Sequence, residues 1–446
     1  MLLVAASLAL VTMALTATGG SARVAQVSSY DEPVDGPRSA IFPAIGVAES
    51  GRELVTWAAA APNDSSDRRL WARYVGKDGR PDGTEFPISA LSTDANRVYA
   101  WDSAIAARGK RDEFLVVWDQ EPVGSGYRDE IVARRFDGRG NALSEQFTVS
   151  PPEDFASASD PEVVYDPKNR QFLVVWAGTI SEGVSEIYAS RIPAGASRAL
   201  APIAVSQHGT PTDQVGGRSP SVAYDTKRHR YLIGWSARFS DEYERQFSRR
   251  DVYARSLAVG ARLSLGKRRQ ISGPTSAIRP GLAYSERADE YVAMWSAFGI
   301  EDLRVLGRRL LPSGRPIGER ALIAEESWDA HAVNVEPRRR GGYLVAFQSN
   351  EIEGNGSTVY SVPVSATLEP GALARVATAE GSSRQPDLAY SDAKSRFRVA
   401  WIQGPDSPND PYYNPNSPPQ PPASPNVFVR SLSAPLRPHA RAPSSR

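Results

Sequence analysis

Leu173-Val174-Val175-Trp176, entered through Phe172, decides the fold, because the chain writes this pattern seven times. The other copies are Leu54-Val55-Thr56-Trp57, Leu115-Val116-Val117-Trp118, Leu232-Ile233-Gly234-Trp235, Val292-Ala293-Met294-Trp295, Leu344-Val345-Ala346-Phe347 and Arg398-Val399-Ala400-Trp401. Their final aromatics are separated by 61, 58, 59, 60, 52 and 54 residues. Six copies carry a second aromatic four residues earlier: Phe114, Phe172, Tyr231, Tyr291, Tyr343 and Phe397. Positions two and four apart share one face of a strand, so each copy shows an aromatic–aliphatic–aromatic stripe. The alternate face is apolar as well, which predicts strands covered on both sides.

Working outward, a Pro about fifteen residues before the Trp opens a strand in four units: Pro161 to Tyr165, Pro220 to Tyr224, Pro280 to Tyr284 and Pro386 to Tyr390. Polar hairpins such as Asp166-Pro167-Lys168-Asn169-Arg170 lead into the Trp strand. A third strand follows a loop of variable length: Leu70 to Val75, Ile131 to Phe136, Ile187 to Ile192, Val252 to Leu257, Leu303 to Leu310, Val359 to Val364 and Val427 to Leu432. A fourth closes the unit, as in Phe86 to Ser89 and Phe147 to Ser150. Repeats of this length with four antiparallel strands predict an all-β fold, a seven-bladed β-propeller spanning residues 23–434. Helical repeats are excluded, since no segment holds a 3.6-residue period over ten positions.

The seventh unit lacks its own fourth strand, because only Ala434 to Arg446 follows, and 435–446 reads as a disordered tail. Arg23-Val24-Ala25-Gln26-Val27-Ser28 resembles the sixth unit's fourth strand, Arg375-Val376-Ala377-Thr378-Ala379. The N-terminal strand is therefore expected to complete the last blade and remove the exposed edges of an open array.

The pattern Tyr165-Asp166…Leu173-Val174-Val175-Trp176…Ile187-Tyr188-Ala189 resembles the degenerate propeller repeats of secreted bacterial proteins. That resemblance covers nearly all of 23–434 and implies the fold but no particular activity. The Asp-box of sialidases, WD40 pairings, kelch double glycines and Gly-x-Ser-x-Gly are missing. Asp31-Glu32-Pro33-Val34-Asp35-Gly36 has the wrong spacing for a calcium loop.

Composition narrows the rest. The 446 residues carry 52 basic and 51 acidic side chains, so no basic field for nucleic acid is present. Without Cys there is no disulfide, thiolate metal site or Cys nucleophile, and four scattered His do not suggest a metal. No cofactor is expected. Only six cations are Lys, an imbalance read as coding bias of a GC-rich genome, not as an anion site. Leu2 to Ala17 is apolar and is followed by small residues, so 1–22 reads as a signal peptide and the product as secreted and monomeric. No span is expected after cleavage.

Variable loops on a regular scaffold are where recognition tends to sit. The longest are 236–251, with Tyr243, and the Pro-rich insertion 403–426, with Tyr412 and Tyr413. Trp101 and Trp328 fall in connections on the same face; exposed, they would suit stacking on sugar rings, and the alternative is that they pack between blades. The residues opening the inner strands should ring a channel mouth: Phe42, Asp102, Asp160, Ser219, Arg279, His331 and Gln385. Read as strand-end caps, they leave a non-catalytic binding module that recognises a polysaccharide or protein through the variable-loop face, the reading placed first. The alternative is a carbohydrate-active hydrolase or lyase whose acid/base set is Asp102, Asp160, Arg279 and His331.

Overall fold

The structure, a computed structural model, describes residues 24–28, 40–61, 64–90, 98–109, 112–122, 128–180, 185–207, 216–238, 250–260, 262–273, 276–298, 303–324, 331–350, 357–377, 382–404 and 425–433. Among the described residues the regular elements are all strands, paired into antiparallel sheets that follow the repeat, with four strands in the third, fifth, sixth and seventh units and five in the fourth. The first two units share one eight-stranded sheet, joined through a single parallel pair, Arg68 opposite Tyr99. The N-terminal strand Val24–Gln26 pairs with Asn426–Leu432, Val24 opposite Arg430, and supplies the fourth strand of the seventh unit's sheet.

The inner strands are Ile41–Val47, Val98–Arg108, Ser157–Asp166, Gly217–Asp225, Ala277–Ser285, His331–Pro337 and Ser383–Ser391. Each lies against the next, and the seventh lies against the first. The second strands, such as Gln171–Thr179, are buried along almost their whole length. Their two faces serve different neighbours. Phe172, Val174 and Trp176 pack toward the preceding unit, while Leu173 and Val175 pack toward the following one. The described buried side chains form seven clusters, each drawn from two consecutive units, and one joins Trp57 of the first to Ala400 and Ile402 of the seventh. The hydrophobic core therefore lies between sheets. The six repeat Trp are fully buried, as their spacing predicts.

Two expectations change. The prolines do not open strands, because the inner strands begin three or four residues earlier. Pro161, Pro220, Pro280 and Pro386 instead sit in β-bulges, between Ser159/Glu162, Arg218/Ser221, Ile278/Gly281 and Arg384/Asp387. A bulged residue is unpaired, so a missing N–H costs no ladder bond there. The register of the N-terminal strand also differs. Val27 N donates to Val427 O as Val376 N donates to Val359 O, so Val27 matches Val376, three residues along from the sequence similarity. Ser28 then accepts Val427 N at 2.8 Å, as Ser150 and Ser206 accept Ile131 N and Ile187 N in their own sheets.

Arginine does specific work. In five units an Arg on the third strand, two residues after the Trp's partner, reaches back to a fourth-strand carbonyl of the preceding unit. Arg73 donates to Val27 O at 2.9 Å, Arg134 to Ile88 O at 3.2 Å and Arg255 to Val205 O at 2.8 Å. Arg308 donates to Ile271 O at 3.2 Å and Arg430 to Val376 O at 2.7 Å. The third and sixth units have Ser190 and Val362 at this position. Coding bias does not explain a cation recurring at one register position.

The first and seventh units are further tied by Glu53, fully buried, which accepts from Arg398 Nε at 2.7 Å and Lys394 Nζ at 2.8 Å. Exposed pairs such as Arg228–Asp289 contribute only about 0–1 kcal/mol. Removing one partner of a buried pair costs about 3–5 kcal/mol, because the other charge is stranded. Glu53→Ala is expected to lower unfolding free energy by about that amount in urea titrations. A loss below about 1 kcal/mol would show that this tie is dispensable.

Candidate functional site

Apart from the single parallel pair at Tyr99, the inner strand of each unit has no further strand beside it, and its N–H groups need other partners. Side chains from the preceding unit supply several. Asp160 Oδ2 accepts Ser219 N at 3.1 Å and Ser221 Oγ accepts Leu282 N at 3.1 Å. From the seventh unit to the first, Gln385 Oε1 accepts Phe42 N at 2.7 Å and Asp387 Oδ2 accepts Ile45 N at 2.8 Å. Asn334 Nδ2 donates across to Pro386 O at 2.6 Å.

The bulges turn this polar edge into a mouth. Their first residue is left-handed in six units: Phe42 (φ 51°), Asp160 (54°), Ser219 (48°), Arg279 (50°), Ala332 (49°) and Gln385 (52°). Non-glycine residues hold φ near +50° at a cost of about 1–3 kcal/mol, and such strain concentrates at functional sites. Together these residues line a cavity of about 210 Å³, with Asp102, Glu162 and Asp387 also on its wall.

Of the four sequence-derived acid/base candidates, Asp102, Asp160 and Arg279 meet in this cavity. The side chain of His331, the fourth candidate, lies outside the described residues. The sixth unit presents Ala332, Val333 and Asn334, and the left-handed position is Ala332. Counting sixteen residues back from the aromatic fails there because the hairpin is one residue shorter. In the second unit the hairpin has the same length as in the third, but the bulge lies one position further from it, opposite Asp119, and comprises Trp101 and Asp102 between Ala100 and Ser103. Trp101 is half-buried, edge-on to Phe42 at 6.5 Å, with the Arg68 guanidinium 4.5 Å above its ring. One stacking face is therefore already covered by a cation. Trp328, Tyr243, Tyr412 and Tyr413 lie outside the described residues, as do the signal segment, residues 405–424 of the Pro-rich insertion 403–426, and the tail.

Electrostatics set the mouth apart from a ring of solvated caps. Burial, then Asp160, pushes the Asp102 carboxyl up to about 7, against the pull of Arg279. Below it, burial and neighbouring carboxylates lift Glu162 and Glu336 to about 8, and burial lifts Asp387 to about 6. All four are half-buried, but they face a confined channel where water solvates charge poorly. Asp119, 4% exposed, stands opposite the bulge of its own unit. Burial and then Asp102 and Asp160 hold its carboxyl well above the usual range. Sequence reasoning missed Asp119, although it follows a repeat Trp where other units carry Ala58, Ala177, Ser236, Ser296, Gln348 or Ile402. Glu162 and Asp387 were legible too, each being the residue after a bulge Pro. Among the described residues no three Asp, Glu or His side chains gather closely enough to hold a metal.

No family model matches the sequence, and no curated protein matches it. Solved structures do resemble the fold. A protein of unknown function from Dyadobacter fermentans is 11% identical, with 77% of this chain and 96% of that one covered and a TM-score of 0.53. An α-L-arabinanase from Penicillium chrysogenum, solved with arabinobiose, is 12% identical, with 93% and 98% covered and a TM-score of 0.50. At such identities the likeness shows the fold, a β-propeller-like arrangement of four-stranded sheets, and nothing finer.

The raised carboxyls predict how stability depends on pH. Each binds its proton more tightly folded than unfolded, so its contribution is full below about pH 4 and is lost as pH rises through 6 to 8. Asp166 and Asp289 are shifted downward and act only in more acidic solution. Unfolding free energy from urea titrations is therefore expected to fall between pH 5 and 9. Glu162→Gln and Glu336→Gln should flatten the slope, and a rising or flat wild-type profile contradicts the account.

Proposed function

We propose that the chain is a seven-bladed propeller, its last blade completed by the N-terminal strand, and that it hydrolyses glycosidic bonds at the channel mouth. The blade count is supported by seven interleaved core clusters and by the contact of the seventh inner strand with the first. The observation that carries the activity is one cavity holding two carboxylates in different roles. Asp102 keeps its proton to about pH 7, while Asp160 is anchored by the Ser219 N–H beside it.

Such a pair is what acid/base cleavage needs. Asp102 delivers its proton to the glycosidic oxygen as the bond to the anomeric carbon breaks. Asp160 accepts the proton of the water whose oxygen forms the new bond. Arg279 balances the charge left on Asp102 after transfer. An arabinanase on a similar fold supports a polysaccharide as substrate class, and this favours the hydrolase over the non-catalytic binding module. Export is proposed on the apolar run of residues 2–17.

The test is release of reducing ends from a panel of polysaccharides, arabinan included, across pH 4 to 9. Activity is expected to fall as pH rises through about 7, where Asp102 loses its proton. Asp102→Asn and Asp160→Asn should each lower the rate about a hundredfold or more. A wild-type chain that binds these polymers but releases no reducing ends is a binding module instead. Products bearing a new carbon–carbon double bond would make it a lyase.

A further inference from the structure

The mouth is walled on every side. Its lining draws on the bulge of all seven units, from Phe42 and Pro43 in the first to Gln385 and Pro386 in the seventh. Neighbouring inner strands touch all the way round, the seventh against the first. Side-chain bonds tie them together at this level: Asp160 accepts Ser219 N, Gln385 Oε1 accepts Phe42 N, and Asn334 Nδ2 donates to Pro386 O. Because every unit contributes, the described residues leave no gap through which a polymer could lie across the ring at this depth.

The mouth also ends below. Glu162, Ser221, Asn334 and Asp387, further along the inner strands than the bulges, form its lower wall. A second cavity, of about 440 Å³, lies further along the same strands, against Val164, Tyr165, Val222, Tyr224 and Tyr284. The two share no lining residue, so the mouth does not run on into it. At about 210 Å³ it falls below the range of about 300–1,000 Å³ that drug-sized ligands occupy. That space suits one sugar ring and not two.

A sugar inside a polymer is linked on both sides, and both neighbours would have to leave a blind pocket by the same opening. A terminal sugar has one link. Asp102 and Asp160 belong to the bulges, above the lower wall, so a ring seated against Glu162, Ser221, Asn334 and Asp387 places its single link at the level of the two carboxyls. The polar lower wall matches the hydroxyl-covered end of such a ring.

We infer that the mouth is a one-sugar pocket that admits only the end of a polysaccharide, so that the polymer is shortened one unit at a time. This rests on the hydrolase reading above and fixes where along the polymer it acts. Each turnover breaks the terminal glycosidic bond, the oxygen of water going to the anomeric carbon and a proton to the glycosidic oxygen.

The test supplies the full chain with linear hexasaccharides of arabinose, xylose, glucose and galactose and follows the products by chromatography. Each is offered free, etherified on its non-reducing terminal sugar, reduced to the alditol at the other end, or blocked at both. The first products expected are a monosaccharide and a pentasaccharide, with shorter chains following in order. One of the two single blocks is expected to slow release about a hundredfold, because the altered sugar no longer seats with its bond between the carboxyls. The other single block should leave the rate unchanged. Fragments of mixed length at the outset, a disaccharide as the first product, or undiminished cleavage of the doubly blocked chain each overturn the inference and leave the hydrolase reading standing. Absence of any product from all four free hexasaccharides sinks both together.

Discussion

Every unit of this protein ends, on its inner side, in a strand that, apart from the single parallel pair at Tyr99, has no further strand beside it. Satisfying that edge shapes the centre of the molecule. Asp160, Ser221, Gln385 and Asp387 each accept an N–H from the unit that follows. The polar residues at the channel mouth are thus there first for structural reasons, and a chemical role has to be built from what those bonds leave over. Asp160 commits one oxygen to Ser219 and Gln385 its carbonyl to Phe42. What remains on each is held in a set direction by the atom already used.

The same geometry puts the hydrophobic core between sheets, since both faces of each Trp strand are covered by neighbours. No unit can bury its aromatic stripe alone, so stability is a property of the interfaces. The polar cross-ties follow this logic. The recurring third-strand Arg always reaches to the unit before it, and the channel acceptors always serve the unit after it. Consecutive sheets are therefore fastened at the centre and further out by bonds of opposite direction along the chain. Between the first and seventh sheets both kinds are present, Arg73 to Val27 O and Gln385 to Phe42 N, together with the buried Glu53–Arg398 pair.

The architecture was legible because it is written in periodicity. Alternation along Leu173-Val174-Val175-Trp176 reports burial on both faces, and the repeat reports how often the sheet recurs. Most of the mouth was found the same way, by counting back from the aromatic. That count fails where a hairpin changes length, which is why Ala332 and not His331 takes the left-handed position. The Arg cross-ties escaped notice because a composition rich in Arg masks one that recurs in register. Asp119 escaped because its significance lies in a fold that sets it behind Asp102. A carboxyl's affinity for its proton depends on what surrounds it in space, and no local spacing encodes that.

Ala25 pairs with Val429, partners about four hundred residues apart along the chain. Every other sheet is built from neighbours in sequence and can zip up by short hairpins. The seventh waits for a segment that must diffuse back from the far end. Closing so long a loop is entropically expensive and slow compared with local pairing. The arc of sheets is thus expected to assemble early and the final strand to dock late. In the interval Asn426–Leu432 presents an open edge to any passing strand, and speed of docking decides how much of the chain escapes aggregation.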